Sequence, residues 1–508
     1  MGSVNGSRAS TSVRVAIVGA GFGGLGAAIR LRQQGIEDFV LLERGDDVGG
    51  TWRENTYPGC QCDIPSNLYS FSFAPNPNWS RTFPTQPEIW DYLRDCARRF
   101  GILPHIRFGH EVTGADWDEQ TGRWTLDTPH GSVSAQVVIA APGGLSAPSV
   151  PELPGLEAFE GPAFHTARWD HDQDLAGQRV AVIGTGASSI QVVPYLQPEV
   201  EQLQVFQRTP PWIVPHPDRP VSDRERRLFR AFPGLQRLAR GGIYWALEMR
   251  GVGFTVDPRV LKLAERIAER HLRHQVPDPE LRRKLTPTYR MGCKRVLLSD
   301  DYFPALTRPN VELVTDGIEE VRPRSIVTAD GLERPVDAIV LGTGFKVSDH
   351  PMFGLVRGRG GVSLAEAWDG SPQAYRGTTI AGFPNLFLLV GPNTGLGHNS
   401  IVFIIESQLN YVLGALRTME ERGAGTLEVR PEAQEEFNAQ LQERSRGTVW
   451  TEGGCASWYL DRHGRNTTLW PGFSWSFHRA TRRFDPESYV LGDGPARAPA
   501  PASALAAG

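Results

Sequence analysis

Two glycine clusters, each behind a run of branched apolar residues, carry the clearest chemistry in this 508-residue chain. The first is Gly19-Ala20-Gly21-Phe22-Gly23-Gly24, set between VRVAIV and LGAAIRLRQ. In a strand–turn–helix the glycines divide the work: Gly19 allows the tight turn, Gly21 lets backbone approach a pyrophosphate, and Gly24 lets helix and strand pack closely. The helix start adds free N–H groups and partial positive charge for phosphate. The next apolar run, DFVLLE, ends in Glu43, 24 residues after Gly19. An acid about 20 residues on is the group that hydrogen-bonds a ribose diol.

The second cluster is Gly184-Thr185-Gly186-Ala187-Ser188-Ser189, after RVAVIG, with Ser189 where a third glycine is usual. Here the following run, LQVFQR, ends in Arg208, again 24 residues on, with Thr209 next. An arginine at that place attracts a 2′-phosphate through a charge-assisted fork. The alternative is a solvated surface arginine. One site is therefore expected to take an adenosine with a free diol and the other NADPH. A nicotinamide donates hydride, and a flavin is its natural acceptor, so the first site is assigned FAD. The stretch LFLLVGPNTGLGHNSIVFIIESQLNYVL fits this, because its Gly/Asn-rich turn would aim a helix N-terminus at the flavin pyrimidine edge.

These residues need a scaffold of buried parallel strands, and four runs qualify: Val13–Val18, Val137–Ala141, Val180–Ile183 and Ala338–Leu341. The expected fold is α/β, with two Rossmann-like dinucleotide-binding domains, for FAD and NADP, and a helical insertion in the NADP domain. The FAD domain is expected at 12–147 and 385–493, the NADP domain at 148–214 and 291–384, and the insertion at 215–290. Within the insertion, Val260, Leu263, Ala264, Ile267, Ala268, His271 and Leu272 recur at helical spacing and are expected to pack against the rest of the protein. Residues 1–11 and 494–508, rich in Ser/Gly/Asn and in Pro/Ala, are expected to be disordered.

Composition excludes several classes. With 53 basic and 57 acidic residues the net charge is −4, which is no nucleic-acid footprint and no polybasic membrane anchor. Five cysteines in so long a chain suggest a reducing compartment rather than a disulfide framework. There is no C-x-x-C pair for zinc, and no metal is expected. The polar start lacks a signal-peptide core, and no apolar run reaches the ~18 residues of a membrane span. The expectation is a soluble cytoplasmic protein acting on a small molecule, without nucleic-acid or membrane partners.

Further motifs place the chain near a known family. Gly49-Gly50-Thr51-Trp52, with Tyr57-Pro58-Gly59 and Asp63, resembles the second glycine motif of class B flavoprotein monooxygenases. Between the two glycine clusters, Phe159-x-Gly161-xxx-His165-xxx-Trp169-Asp170 is similar at every specified position to the F-x-G-x-x-x-H-x-x-x-W-(P/D) signature of type I Baeyer–Villiger monooxygenases. The resemblance spans Val13 to Val490. It implies that NADPH reduces FAD, that oxygen adds to give a flavin C4a-peroxide, and that this attacks a ketone to give an ester or lactone.

The resemblance also implies residue roles. Arg295, in the pair Lys294-Arg295, would be the essential cation, and Asp63 would hold it. A fixed charge that stays protonated at any working pH suits an anionic oxygen species. Lys294 would join Arg208 and Thr209 at the 2′-phosphate. Thr51, Trp52, Tyr69, Val112, Asn399 and Ser400 would touch FAD. His165 would anchor a hinge rather than move protons. The insertion would wall the substrate pocket, with Tyr244, Trp245, Trp470, Phe473, Trp475 and Phe477 as lining candidates, although core packing explains them equally well. Cys60 and Cys62 are too tightly spaced for a C-x₄-C redox pair and are read as structural. Two alternatives stay open: an N- or S-oxygenating flavin monooxygenase with the same cofactors, and a non-catalytic FAD/NADPH-binding redox sensor.

Overall fold

A computed structural model of the chain describes residues 11–493. The disorder expected at 1–10 and 494–508 lies outside the described residues, whereas Thr11 already begins a strand. That strand, β1 (Thr11–Val18), leads through the glycine turn into α1 (Phe22–Gln33) and back to β2 (Phe39–Leu42), parallel to it. After α2 (Thr51–Glu54) and α3 (Gln86–Arg99), β3 (Ile106–Arg107) extends the parallel edge beside β2. Then β4 (Gly114–Asp118), β5 (Arg123–Thr128) and β6 (Gly131–Ala140) run antiparallel, and β6 closes in parallel on β1. In β5 the alternation is clean: Trp124, Leu126 and Thr128 turn inward and the residues between face out or lie half-buried, as a one-sided strand requires.

The second unit starts at β7 (Ala163–His165), followed by β8 (Arg179–Ile183), α4 (Ala187–Leu196) and β9 (Gln202–Phe206). A short β10 (Ile213–Val214) leads into the insertion, which holds α5 (Asp223–Ala231), α6 (Pro233–Thr255), α7 (Leu261–Gln275) and α8 (Pro279–Lys284). The chain returns by β11 (Leu297–Leu298), parallel to β10, then α9 (Tyr302–Leu306) and β12 (Val311–Val314). A three-stranded meander, β13 (Ile318–Arg322), β14 (Ser325–Thr328) and β15 (Glu333–Pro335), precedes β16 (Ala338–Leu341). The order β12-β9-β8-β16-β7 makes an all-parallel five-stranded sheet.

The first sheet regains the chain earlier than the expected return at 385. β17 (Val356–Arg357) pairs with β4, and α10 (Leu364–Trp368) packs Leu364 and Trp368 on that sheet. β18 (Leu386–Leu388) adds to β6, and α11 (Ile401–Glu421) lies against α1. β19 (Thr426–Val429), α12 (Pro431–Ser445), α13 (Val449–Glu452), α14 (Ser474–Thr481) and β20 (Tyr489–Gly492), which pairs with β19, complete the chain.

The expected packing face of α7 is only half used. Ala268 and Leu272 are buried, as is Leu261, but Val260, Leu263 and Ile267 are 52%, 65% and 48% exposed. The buried stripe is rotated toward Leu261, because α7 leans on β10 and α9 with one edge. Among the described residues, no helix is long and apolar enough to cross a membrane.

Candidate active site

The first glycine turn is built as a cradle without side chains. Gly19 has φ +95°, and a Cβ on Gly24 would sit 1.8 Å from the Gly19 carbonyl oxygen, so only glycine lets α1 lie this close to its strand. Gly21 meets nothing nearer than Gly50 Cα, 3.6 Å from where its Cβ would be. No side chain caps the α1 N-terminus. The turn thus offers bare backbone and uncapped N–H groups, the features a pyrophosphate requires. Glu43 is 4% exposed and braces the turn: one carboxylate oxygen accepts from Ala20 N–H (2.7 Å), the other from Gly45 N–H (2.8 Å) and Arg53 (2.9 Å). Trp52 donates its indole N–H to Tyr69 (3.1 Å), and its carbonyl takes the Gln86 amide. Thr51 follows Gly50 at the start of α2, while Val112 is half-buried and packs on the outer face of the first sheet.

The second turn repeats the design. Gly184 has φ +109°, and around Gly186 nothing lies within 4 Å of a would-be Cβ. Ser189 stands in for the third glycine because its neighbour yields instead: a Cβ on Gly342 would come within 2.0 Å of Ser189 Oγ. Thr185 donates to the Thr209 carbonyl (3.2 Å). α4 also starts without a side-chain cap, with Ser188 half-buried in its first turn. Burial holds the Lys294 ammonium below its usual pKa, and the nearby charge of Arg208 lowers it further. Among the described residues neither cation has a carboxylate partner. Two cations held within repulsion distance beside an open glycine turn fit a phosphate dianion.

Arg295 and Asp63 meet across 232 residues in a two-pronged ion pair, Nε to Oδ2 at 2.6 Å and Nη2 to Oδ1 at 2.8 Å. Side-chain exposures of 35% and 29% leave the pair partly open instead of sealed in a core. Asp63 raises the Arg295 pKa above its ordinary value, against the opposing effect of burial. Burial pushes the Asp63 carboxyl up, but the charge and hydrogen bonds of Arg295 outweigh it and hold the pKa below the usual value. Arg295 Nη1 makes no hydrogen bond among the described residues, so one donor edge stays open. Tyr459 stands close by, its phenol pushed up to about 12 by burial.

The cysteines correct the reading from composition. Cys293, two residues before Arg295, forms a disulfide with Cys455. Cys60, Cys62 and Cys96 are free and buried. A pairing of residues 162 apart leaves no spacing signal; it is legible only once the loop at 453–459 is seen lying on the Arg290–Cys293 turn.

His165 ends β7 at the sheet edge. Its Nδ1 accepts the Ala167 N–H (3.0 Å), its ring packs on Phe345 (5.7 Å between centroids), and burial lowers its pKa. Gly161 is obligatory, since its Cβ would lie 2.1 Å from the Asp337 carbonyl oxygen. This is the geometry of an anchor. The aromatic candidates do not form one wall. Trp470 and Phe477 are core residues, Trp245 and Trp475 are 58% and 42% exposed, and Tyr244 and Phe473 lie between.

The loop before α11, where the sequence reading placed Asn399 and Ser400, also carries left-handed backbone and buried polar contacts that no sequence pattern showed. Val390 and Asn393 have φ near +57°, and for β-branched Val390 this is strained backbone. The buried Gln408 amide oxygen accepts the Val390 N–H (2.9 Å) and holds it there. Ser400 caps α11 by accepting the Val402 N–H (3.3 Å), and the Asn399 oxygen accepts the Ser400 N–H (2.7 Å). Glu248 of α6, buried and absent from the expected site, takes the Asn399 amide (2.6 Å).

Comparison with known proteins agrees with this geometry. Residues 16–223 match the family described as pyridine nucleotide-disulphide oxidoreductase. A Baeyer–Villiger monooxygenase of Streptomyces coelicolor is 54% identical over 97% of this chain and 95% of its own length. One of Pseudomonas aeruginosa is 53% identical, over 95% and 92%. Among solved structures, NADP+-bound cyclohexanone monooxygenase from Rhodococcus sp. Phi1 superposes with a TM-score of 0.84 at 32% identity, covering 96% of this chain and 100% of that one. Steroid monooxygenase bound to NADP gives 0.83 at 33% identity, covering 95% and 100%.

Proposed function

The chain belongs to the Baeyer–Villiger monooxygenases, and on that premise we propose that the Arg295–Asp63 pair is the catalytic centre of an FAD- and NADPH-dependent enzyme. The enzyme uses O2 to insert one oxygen beside a ketone carbonyl, giving an ester or lactone. FAD, once reduced by NADPH, supplies the electrons that activate oxygen.

The residues do the rest. The uncapped start of α1, with Gly19, Gly21 and Gly24, holds the FAD pyrophosphate, and Glu43 braces that turn beside the ribose. The turn at Gly184–Ser189 holds NADPH, with Arg208, Lys294 and Thr209 around its 2′-phosphate. Arg295 keeps its charge throughout, because Asp63 raises a pKa that is already far above any working pH. Asp63 occupies Nε and Nη2 and so fixes the plane of the guanidinium. The free Nη1 edge then stabilises negative charge developing on oxygen at no cost in reorganisation. The single observation that carries this reading is that two-pronged pair with one donor edge open.

A ketone panel with NADPH and O2, scored by product mass, tests it. Gain of one oxygen as an ester or lactone is expected from at least one cyclic or steroidal ketone. Oxides of amines or sulfides with no ester from any ketone would overturn it.

A further inference from the structure

Glu248 is a buried carboxylate that the chemistry above does not use. It stands on α6, in the helical insertion, with 2% of its side chain exposed, and faces His398, whose side chain is 0% exposed, at 3.3 Å. Its Oε1 accepts from the Asn399 amide (2.6 Å) and from the Ser474 hydroxyl. Both carboxylate oxygens take the Ser474 N–H, at 3.3 and 3.1 Å, at the first residue of α14. Burial pushes this carboxyl up, but the imidazole of His398 close by and the hydrogen bonds from Ser474 and Asn399 outweigh it and hold the pKa below the usual value.

The surroundings are shaped for this contact. One turn along α6, a Cβ on Gly251 would lie 2.9 Å from His398 Nε2, so a glycine in mid-helix makes room for the imidazole. Such a glycine is unfavourable in a helix relative to alanine. One turn the other way, Tyr244 OH lies 3.1 Å from Ser474 Oγ. A charge taken out of water at three converging segments is expensive unless every contact is made. Hydrophobic packing would have joined those segments more cheaply.

We propose that Glu248 is a positioning residue for the flavin: through Asn399 it fixes the loop that starts α11 and so sets the flavin's surroundings from the helical insertion. The route is continuous, from the Glu248 carboxylate to the Asn399 amide, then the Ser400 N–H, then the Ser400 cap of α11. The Asn399 side chain is consumed by these bonds, so it shapes the site without itself needing to reach the ring. The inference rests on the reading that FAD lies on the first sheet with the α11 N-terminus beside it.

The test uses holoenzymes of E248A, E248Q, N399A and E248A/N399A, following FAD release and the visible circular dichroism of the flavin, with thermal midpoints alongside. E248A is expected to release FAD about tenfold faster, as loss of one charge-assisted hydrogen bond implies, and to alter the dichroism. E248Q, which keeps an acceptor for Asn399, should recover most of both even if E248A folds poorly. The E248A/N399A double variant should behave like E248A alone. A lowered midpoint with unchanged FAD release and dichroism would reduce Glu248 to structural glue and end the proposal, as would additive effects of the two substitutions. E43Q is the control for the underlying reading. If E43Q loses flavin while E248A does not, only the proposal fails; if neither loses flavin, the FAD assignment itself falls.

Discussion

Lys294 and Arg295 are neighbours, yet their charges meet different partners. Arg295 is locked on Asp63, whereas Lys294 lies over the Tyr289 ring (5.4 Å) and is pressed by Arg208 without a neutralising acid. Asp63 supplies the balance at one position, and a bound 2′-phosphate would supply it at the other. Replacing Arg208 with Ala should therefore raise KM for NADPH about tenfold, the effect of ~1.4 kcal/mol, and leave KM for NADH nearly unchanged. Equal changes for the two cofactors would remove the phosphate role. At this scale the sequence was most readable where chemistry demands a residue type at a fixed spacing, as with the glycines, Glu43 and Arg208; Asp63 and Arg295 were reached only through the family resemblance. It was silent on Glu248, because a lone glutamate in an amphipathic helix looks like one more solvated charge until the fold buries it.

Strands and helices were legible by the same logic. Val180–Ile183 and Ala338–Leu341 are apolar throughout because both faces are covered, and they fall inside or on observed strands. β17 was not legible, since two residues joining an edge leave no pattern, and this is why the first sheet was expected to resume too late. The disulfide was hidden for the same kind of reason. Cys293–Cys455 ties the turn before β11 to the loop after α13, close in sequence to Arg295 on one side and Tyr459 on the other. A cross-link of this span contributes about 2–4 kcal/mol in typical cases. C293S/C455S, or the wild-type protein under reductant, should melt several degrees lower than the oxidised protein. An unchanged midpoint would show that the two loops hold together without it.

Across the whole molecule, acid should unfold the protein by two routes that share a sign. Burial lowers the pKa of His165, His216, His350 and His478 below 6.5, so the folded state resists protons that the unfolded chain accepts. Stability then falls as pH drops through about 6.5 toward their lower folded values. Asp63 and Asp218 are held below 3.8 in the fold, and Glu225 and Asp337 at about 2, so their contribution is complete above the ordinary carboxylate range and is lost on further acidification. Thermal midpoints should decline steadily from pH 7 to pH 4. A midpoint that rises anywhere in that window would mean that other groups dominate. The two-sheet plan that carries these residues was readable from a pair of glycine turns, but the joints between its parts were not, because buried polar contacts such as those of Glu248 link segments far apart in sequence.

The central claim is that Arg295 serves oxygen transfer rather than cofactor binding. It is tested most directly by following NADPH consumption and ester formation side by side in R295A. The account predicts that flavin is still bound and still reduced by NADPH, while ester formation from a ketone accepted by the wild-type enzyme falls by at least about a hundredfold, the scale of losing one preorganised charge. Ester formation at near wild-type rates in R295A would contradict it.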